Sequence, residues 1–314
     1  MSKSNGKSII ILSEKSSGSS ACQNLLAKFA NIRHVANTRH YENETLYWTK
    51  AASILGKPQL KMVDSEVPIP QNKARADLIA LLQKNLQEYV PPTDDHELIR
   101  EGWRLLSQLY APIFLEKSPH HLCQWSSLEL IVEHMQAIED VDFLLIGLIR
   151  NPMDTIYSQY QRWKSPPAKV EQQWLIAYQN LLRLKEIVGD KLVIIRYEDM
   201  VSSLEYLEPV FQFCEVTATA PGKGYLHRKS LQKWKSSRLF GFTLSAETIA
   251  LAERYGYERD ELINEAHPLW PIVQQLSRAA YITTKPARSV ARALLDNLSG
   301  GVTGHAQAGV QSGS

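Results

Sequence analysis

Two short segments of the sequence carry cationic and hydroxyl side chains at places where an anion could bind. The first is the hexapeptide Lys-Ser-Ser-Gly-Ser-Ser that begins at Lys15, shortly after the apolar run 8–12. The second is the apolar run 142–149, which ends at Arg150 and has Ser158 eight residues further on. Each run predicts a buried strand that leads to a helix N-terminus, where backbone N–H groups favour anions. Two such ends predict a site for a nucleotide that carries phosphate at both of its ends.

The first loop differs from the phosphate loop of nucleoside triphosphatases. In that loop a lysine and then a serine or threonine directly follow a glycine, and they bind the β- and γ-phosphates and magnesium. Here Lys15 precedes Gly18, and Ser19 and Ser20 follow the glycine. This order favours one phosphate held by backbone N–H groups and hydroxyls, with Lys15 beside the group that is transferred. The alternative interpretation is a serine-rich turn between strand and helix that binds no ligand.

The second segment has the chemistry of a phosphate clamp. Arg150 ends the strand, Pro152 suits the first position of a helix, and Asp154 suits its first turn. An arginine binds phosphate through a planar fork of donors, and Ser158, two turns along the helix, would supply a further hydroxyl. The alternative is that Arg150 pairs with a structural carboxylate such as Asp154.

The elements that would position these segments follow from apolar runs and from helix-breaking residues. Strands are predicted at 8–12, 113–117, 142–149 and 191–196, with a short extended piece at 32–35. Helices are predicted over 19–30, 45–55, 121–138, 153–163, 170–188, 204–214, 245–255, 259–265 and 269–280, with two more between 72 and 110. Strands that alternate with helices predict an α/β fold, a single parallel sheet flanked by helices with right-handed crossovers.

The composition limits the class of protein. The 314 residues are 44% hydrophobic and 22% charged, which is typical of a globular protein. A formal net charge of +2 gives no electrostatic argument for nucleic-acid binding. Cys22, Cys123 and Cys214 are predicted to be buried free thiols in a reducing compartment. Without a signal sequence or an apolar run long enough to span a membrane, the sequence predicts a cytoplasmic protein.

The domain organisation is predicted to be simple. Residues 1–285 form one domain, with a helical insertion at about 58–112 that helps to shape a binding pocket. Residues 286–298 can form a basic amphipathic helix. Residues 299–314 contain almost no large apolar groups and are predicted to be a disordered tail. The oligomeric state is left open.

Four segments in order give the chain a resemblance to a known family. They are Lys15 to Ser20, Glu116-Lys117-Ser118-Pro119-His120, Arg150-Asn151-Pro152 with Ser158, and Arg196-Tyr197-Glu198-Asp199-Met200. Together they resemble the sulfotransferases, which use 3′-phosphoadenosine-5′-phosphosulfate (PAPS) as donor and release adenosine 3′,5′-bisphosphate. The resemblance covers roughly residues 8–257 and is closer to carbohydrate-type and bacterial members than to the cytosolic small-molecule branch. It implies a sulfotransferase fold of the P-loop NTPase-like kind.

The resemblance implies which residues bind the donor. The 5′-phosphosulfate would be held by Lys15, Ser16, Ser17, Gly18, Ser19 and Ser20. Family loops carry Lys or Arg directly before Ser-Gly, whereas one extra serine intervenes here. Arg150 and Ser158 match the pair that binds the 3′-phosphate, and Tyr197 matches a tyrosine near the adenine. Arg228 and Lys229 lie in a basic segment similar to the Arg-Lys-Gly loop that also clasps the 3′-phosphate, the alternative being a solvated basic loop.

The resemblance also implies how sulfuryl transfer would be catalysed. Lys15 and Lys117 are candidates to stabilise the negative charge that builds on the bridging oxygen as the bisphosphate leaves. For the general base we expect Glu42 first, then His120 and His40, each with the alternative of being a solvated polar residue. The acceptor would be a small molecule or glycan with a hydroxyl or amine, and the Glu-Lys-Ser-Pro segment favours a carbohydrate or glycolipid. No metal is required.

Two other classes of protein stay open at this point. A nucleotide or small-molecule kinase on the related P-loop fold would need a Gly-Lys-Ser/Thr sequence and a strand-end Asp for magnesium. The first loop lacks that order, and Arg150 occupies the strand end. The other class is a non-catalytic nucleotide-binding module or regulatory partner.

Overall fold

The centre of the fold is a five-stranded sheet in the order β2-β3-β1-β4-β5, seen in a computed structural model that describes residues 6–217 and 230–284. The strands are β1 (Gly6–Ser13), β2 (Ile32–His34), β3 (Ile113–Lys117), β4 (Val141–Ile149) and β5 (Leu192–Arg196). Every pairing between neighbouring strands of this sheet is parallel. The predicted α/β class, with a single parallel sheet flanked by helices, is confirmed.

Helices connect the strands, because parallel neighbours need a long crossover. They are α1 (Ser19–Leu26), α2 (Tyr47–Ile54), α3 (Gln71–Asn85), α4 (Asp95–Leu109), α5 (Trp125–Ala137), α6 (Pro152–Trp163), α7 (Pro167–Val188), α8 (Tyr197–Met200), α9 (Glu208–Cys214) and α10 (Ala246–Arg254). A further helix, α11, covers residues 270–284. Single 3-10 turns lie at Tyr41–Asn43, Gly189–Lys191, Leu204–Leu207, Lys233–Ser236 and Arg259–Glu261.

β1 lies in the middle of the sheet and faces a core layer on each side. Ile10 and Leu12 pack into the layer formed by α2 to α5 and α7. Ile9 and Ile11 pack into the opposite layer, with α1, α8 and α9. Side chains alternate between the two faces of a strand, so a strand buried on both faces has an uninterrupted apolar sequence. The run that predicted β1 is the consequence of this double burial.

The segment predicted as a helical insertion, 58–112, contributes to the first of these layers. α3 and α4 place their apolar side chains in the same cluster as α2 and the sheet. The ring of Trp103 in α4 lies with its centroid 4.6 Å from that of Trp48 in α2 and 5.0 Å from that of Phe114 in β3. Since α4 packs directly on the sheet, these helices belong to the main core.

Some predicted helices are shorter than expected. α1 ends at Leu26, and the chain continues to Phe29 with tighter turn hydrogen bonds. The region 204–214 is a 3-10 turn followed by α9, in whose first turn Pro209 lies. Proline fits the start of a helix but lacks the N–H that would continue the preceding turn. The helix predicted at 259–265 is reduced to one 3-10 turn.

Four predictions concern residues outside the described ranges, namely Arg228, Lys229, the basic helix at 286–298 and the tail at 299–314. Within the described ranges, no helix combines the length and the hydrophobicity needed to cross a membrane. All three cysteines are buried free thiols, as predicted.

Candidate active site

A cavity of about 560 Å³ lies at the carboxyl edge of the sheet. β1, β3 and β4 end at this edge, where open parallel sheets bind their ligands. The cavity is lined by nine of the predicted site residues: Lys15, Ser16, Gly18, Ser19, Ser20, Glu42, His120, Arg150 and Ser158. Three further predicted residues lie behind this lining. Lys117 donates to the Ser20 hydroxyl, Tyr197 lies against the Arg150 guanidinium, and Ser17 contacts the buried Tyr178 hydroxyl. The strand ends thus bring together groups that are far apart in the sequence.

The loop after β1 is shaped by two residues in the left-handed backbone region. Ser16 has φ 65° and Gly18 has φ 90°. A Cβ atom on Gly18 would lie 2.2 Å from Cδ2 of the Tyr197 ring. Only glycine fits this contact and this conformation without strain. The turn leaves Ser19 at the start of α1, whose N-cap residue provides no side-chain cap and whose first two serines line the cavity.

A cluster of buried polar side chains holds the loop in place through hydrogen bonds. Glu14 accepts hydrogen bonds from Gln159 Nε2 at 3.1 Å and from the Cys123 thiol at 3.1 Å. Gln159 also donates to the Lys15 carbonyl at 2.9 Å, and the Ser17 hydroxyl lies 3.0 Å from the Tyr178 hydroxyl. Burial raises the pKa of Glu14. No sequence pattern indicates this cluster, because only the packing of α6 and α7 brings its members under the loop.

Lys15 extends from the loop along the cavity wall. Its ammonium group donates to the carbonyls of Val63 and Asp64, the second at 3.5 Å. It also lies 5.5 Å from the ring centroid of Trp163. Burial lowers the pKa of Lys15. The ammonium is thus held mainly by neutral carbonyl oxygens, which leaves its charge available to an anion in the cavity.

Arg150 spans the space between the loop and the segment that begins at Ser230. Its two terminal nitrogens donate to the Ser16 carbonyl at 2.9 Å and the Ser230 carbonyl at 2.8 Å. The guanidinium carbon lies 4.9 Å from the ring centroid of Tyr197. Asp154, the alternative partner considered above, is 3.9 Å away, and burial raises the pKa of its carboxyl to about 6. Arg150 Nε has no hydrogen-bond partner within the described residues.

Lys117 is fully buried at the end of β3, and its ammonium group has three acceptors. The distances from Nζ are 3.2 Å to the Ser20 hydroxyl, 3.1 Å to the Glu42 carbonyl and 3.2 Å to Glu44 Oε1. These contacts join the end of β3 to the start of α1 and to the segment before α2. Lys117 therefore presents a fixed positive charge at the base of the cavity.

Two carboxylates and one imidazole surround Lys117. Glu42 accepts a hydrogen bond from the Ser20 hydroxyl, and its Oε2 is 4.0 Å from Lys117 Nζ. Glu44 Oε2 is 3.8 Å from His120 Nδ1, and burial raises the pKa of Glu44. Burial and then the neighbouring cations hold the pKa of His120 well below its usual value. The lowered pKa favours the neutral imidazole of His120, which lies on the same cavity wall as the Glu42 carboxylate.

The Glu-Lys-Ser segment that carries Lys117 is anchored by a second buried network. Glu116 accepts hydrogen bonds from Thr45 at 2.6 Å and from Ser118 at 2.5 Å, and lies 3.4 Å from His121 Nε2. Burial alone would raise the pKa of Glu116, but the charge of His121 and these hydrogen bonds bring it below its usual value. The network joins β3 to the start of α2 and so fixes the direction of Lys117.

Among the predicted site residues that the structure describes, His40 lies away from this cavity. It lines a neighbouring cavity, where its Nε2 is 3.4 Å from Glu66 Oε1. Conversely, besides Pro119 of the Glu-Lys-Ser-Pro segment, four lining residues were not among the predicted ones: Glu44, Asp64, Arg162 and Trp163. Glu44 lies two residues after Glu42, whereas the others come from loop and helix ends whose position no sequence pattern predicts. Among the described residues no group of His, Cys, Asp or Glu is arranged to hold a metal ion.

The fold and the site define an α/β protein with basic and hydroxyl groups at the ends of its central strands. The model of the sulfotransferase family matches residues 8–220. The chain therefore belongs to the sulfotransferase family. No curated protein matches its sequence significantly.

The chain is similar to solved structures of bacterial sulfotransferases. A sulfotransferase domain from the curacin biosynthetic pathway has a TM-score of 0.53 and 19% identity, over 82% of this chain and 99% of that one. A sulfotransferase from Alicyclobacillus acidocaldarius has a TM-score of 0.45 and 13% identity, over 81% of this chain and 96% of that one. The first of these likenesses supports the fold, and the family match supports a transferase of sulfuryl groups.

Proposed function

We propose that the protein transfers a sulfuryl group from PAPS to a hydroxyl or amine of an acceptor, with a carbohydrate or glycolipid favoured. The observation that carries this proposal is the shared cavity between two anion-binding ends. The loop from Lys15 to Ser20 forms one end, and Arg150 with Ser158 forms the other. A donor with phosphate groups at both ends would use both, whereas a nucleoside triphosphate would need only one.

Unpaired polar atoms support the fit of such a donor. Within the described residues, Arg150 Nε and the Ser16 hydroxyl are buried without hydrogen-bond partners. Buried polar atoms are normally paired, so a missing partner favours a polar ligand at that place. Arg150 and Ser158 would take the 3′-phosphate, and the loop would take the 5′-phosphosulfate. Tyr197, which packs against Gly18 and Arg150, would flank the adenine.

The reaction would be an in-line displacement at sulfur. A new bond forms between the acceptor oxygen or nitrogen and sulfur, while the bond between sulfur and the bridging oxygen breaks. Adenosine 3′,5′-bisphosphate leaves with the bonding electrons, and the acceptor's proton passes to a base. Lys117 and Lys15 would stabilise the charge that develops on the bridging oxygen, because preorganised cations lower the barrier where charge builds.

Glu42 is the base that we favour. Its carboxylate lies on the cavity wall beside Ser20 and Lys117, where an acceptor would approach the donor. His120, neutral near pH 7 and on the same wall, is the second candidate. His40 is the third, and its place in the neighbouring cavity would require the acceptor to reach further.

Thermal-shift measurements and an acceptor screen test the proposal. Adenosine 3′,5′-bisphosphate should raise the melting temperature, and ATP with magnesium should raise it much less. The reverse result would overturn the proposal in favour of a kinase. Transfer of labelled sulfate from PAPS to a panel of saccharides, glycolipids and amines should yield product. Donor binding with release of neither product nor bisphosphate would instead point to a non-catalytic nucleotide-binding module.

A further inference from the structure

A second, smaller cavity adjoins the candidate active site. It has a volume of about 200 Å³ and lies between the segment after β2 and the helices α2 and α3. Its walls include Arg39, Lys50, Asp77 and Lys84. Glu44 lines both this cavity and the larger one. The two cavities therefore meet at this one side chain.

The acidic and basic side chains on the walls of the second cavity differ in whether they form ion pairs. Arg39 lies 3.1 Å from Asp77, and Lys73 lies near the same carboxylate and 2.9 Å from Glu66. Glu44 is paired with Lys117. By contrast, across residues 6–217 and 230–284, neither Lys50 nor Lys84 forms an ion pair with a carboxylate. The wall carboxylates thus have cation partners, whereas two wall cations have no carboxylate partner.

Lys50 is the more unusual of these two cations. The residue is only 2% exposed, although it carries an ammonium group. Its Nζ donates one hydrogen bond within the described residues, to the Thr45 carbonyl at 2.7 Å. Burial lowers its pKa to about 8. A buried ammonium with spare donors is unfavourable unless an anion compensates its lost hydration.

We propose that the second cavity binds an anionic substituent of the acceptor, a carboxylate or an ester-linked phosphate or sulfate. Lys50 and Lys84 would bind the anion, and Arg39 would contribute at the rim. The acceptor hydroxyl would then lie on the Glu44 side of the larger cavity, beside Glu42 and Lys117. This inference rests on the proposed function, and it narrows the acceptor to hydroxylated compounds that already carry a negative charge.

Direct binding of matched sugars tests the subsite without relying on turnover. Methyl β-glucoside, methyl β-glucuronide and the 6-phosphate of methyl β-glucoside differ mainly in the anionic group. Each is titrated calorimetrically into the full chain, with and without saturating adenosine 3′,5′-bisphosphate. We expect at least one anionic sugar to bind about tenfold more tightly than the neutral sugar, since charge-assisted contacts of this kind are strong. Comparison of the two anionic sugars distinguishes a carboxylate from a phosphoester.

Three variants complete the test. Lys50→Met and the exposed Lys84→Met should each weaken the preference for the anionic sugar, and the double variant should reduce it to less than about twofold. Lys191→Met is the control, because Lys191 is an exposed lysine at the amino end of β5, away from both cavities. Equal binding of all three sugars, no binding of any, or an unchanged preference in the folded Lys84→Met and double variants would overturn the subsite. Failure of the bisphosphate to bind would count against the proposed function alone.

Discussion

The two lysines of the candidate site are held in different ways. Lys117 is fully buried and fixed by three acceptors, whereas Lys15 lies along the wall and is held mainly by backbone carbonyls. A fixed charge requires no reorganisation when the leaving oxygen becomes negative, so it can act mainly on the transition state. We therefore propose that Lys117 contributes more than Lys15 to stabilising the transition state.

Substitution of Lys117 tests this assignment. Lys117→Met should lower kcat by about 10² to 10³, the cost of removing one preorganised donor. Affinity for adenosine 3′,5′-bisphosphate should change much less, because the contact matters most in the transition state. Steady-state kinetics and calorimetric titration of the same preparation measure the two effects. Lys57→Met, which removes a half-buried lysine paired with Glu133 and distant in sequence from the strand ends, is the control. An equal loss of affinity and turnover would assign Lys117 to ground-state binding.

A second test at the scale of residues concerns which side chain acts as the general base. Glu42→Gln keeps the shape of the side chain but removes its ability to accept the acceptor's proton. Positioned general bases contribute about 10² to 10⁴ to rate, so kcat should fall by that factor. His120→Asn should lower kcat by less than about tenfold. The values of kcat are compared at saturating donor and acceptor. The opposite order would identify His120 as the base.

The sequence predicted the residues at strand ends and missed those that depend on tertiary packing. Lys15 and Arg150 were found because an apolar run followed by a polar group marks the end of a buried strand. Asp64 was missed because it lies in a loop without hydrophobic periodicity. Gln159 was missed because its partner, Glu14, is brought to it only when α6 packs beneath the loop.

At the scale of elements, the last described helix, α11, contacts the loop between α2 and α3 and holds it in place. Arg278 of α11 binds the Asp64 carboxylate through two contacts of 2.8 and 3.1 Å. Ser165 donates to the same carboxylate at 2.6 Å. The neighbouring carbonyls of Val63 and Asp64 accept from Lys15. Thus α11, far from the first loop in sequence, supports one wall of the cavity.

The contact between Arg278 and Asp64 should make the free energy of unfolding depend on pH. Burial alone would raise the pKa of Asp64, but the hydrogen bonds from Arg278 and Ser165 hold it below its usual value. A carboxyl with a lowered pKa in the folded state stabilises the fold above its unfolded pKa. That contribution is lost as the pH falls through the folded pKa. We expect Asp64→Asn to lower the free energy of unfolding by about 1 to 2 kcal/mol near pH 7.

Chemical denaturation at several pH values measures this effect. The difference between Asp64→Asn and the wild type should shrink as the pH falls below about 4, where the carboxyl of Asp64 becomes protonated. Glu215→Gln is the control, since it removes an exposed ion pair with Lys7 and should have a much smaller effect near pH 7. A pH-independent loss would assign the role of Asp64 to hydrogen bonding alone.

The elements themselves were more predictable than their arrangement. The strands follow from apolar runs, and α6 begins at Pro152, as predicted, with Asn151 capping its first turn. The sequence pattern does not indicate which face of the sheet a helix covers. The segment 58–112 was predicted as a helical insertion from its helical pattern, and that pattern did not indicate that α4 packs on the sheet through Trp103.

For the whole molecule, the order of the strands determines where the site lies. β1 is flanked by β3 on one side and β4 on the other. The chain leaves β1 through α1 toward the β2 edge of the sheet, whereas the later crossover from β3 to β4 runs in the opposite direction. Such a change of direction opens a crevice at the carboxyl edge. The ends of these three strands carry the cations of the site, Lys15, Lys117 and Arg150. Lys15 and Arg150 line the crevice, and Lys117 lies at its base. In the proposed complex the acceptor side would be built by the segments between β2 and α3, which have no strand-end motif, so the sequence indicates the donor more clearly than the acceptor.

The increase in melting temperature that a ligand causes tests whether the two ends of the site bind one donor together. A ligand that binds only the folded state stabilises it by about 2.7 kcal/mol at a hundred times its Kd. Adenosine 3′,5′-bisphosphate should therefore raise Tm more than an equal concentration of adenosine 5′-monophosphate, which lacks the 3′-phosphate. Arg150→Ala should abolish most of this difference, and Ser158→Ala should reduce it, because both groups face the same phosphate in the proposed complex. If a folded Arg150→Ala variant kept the full preference for the bisphosphate, Arg150 would serve only to hold the loop through the carbonyls of Ser16 and Ser230.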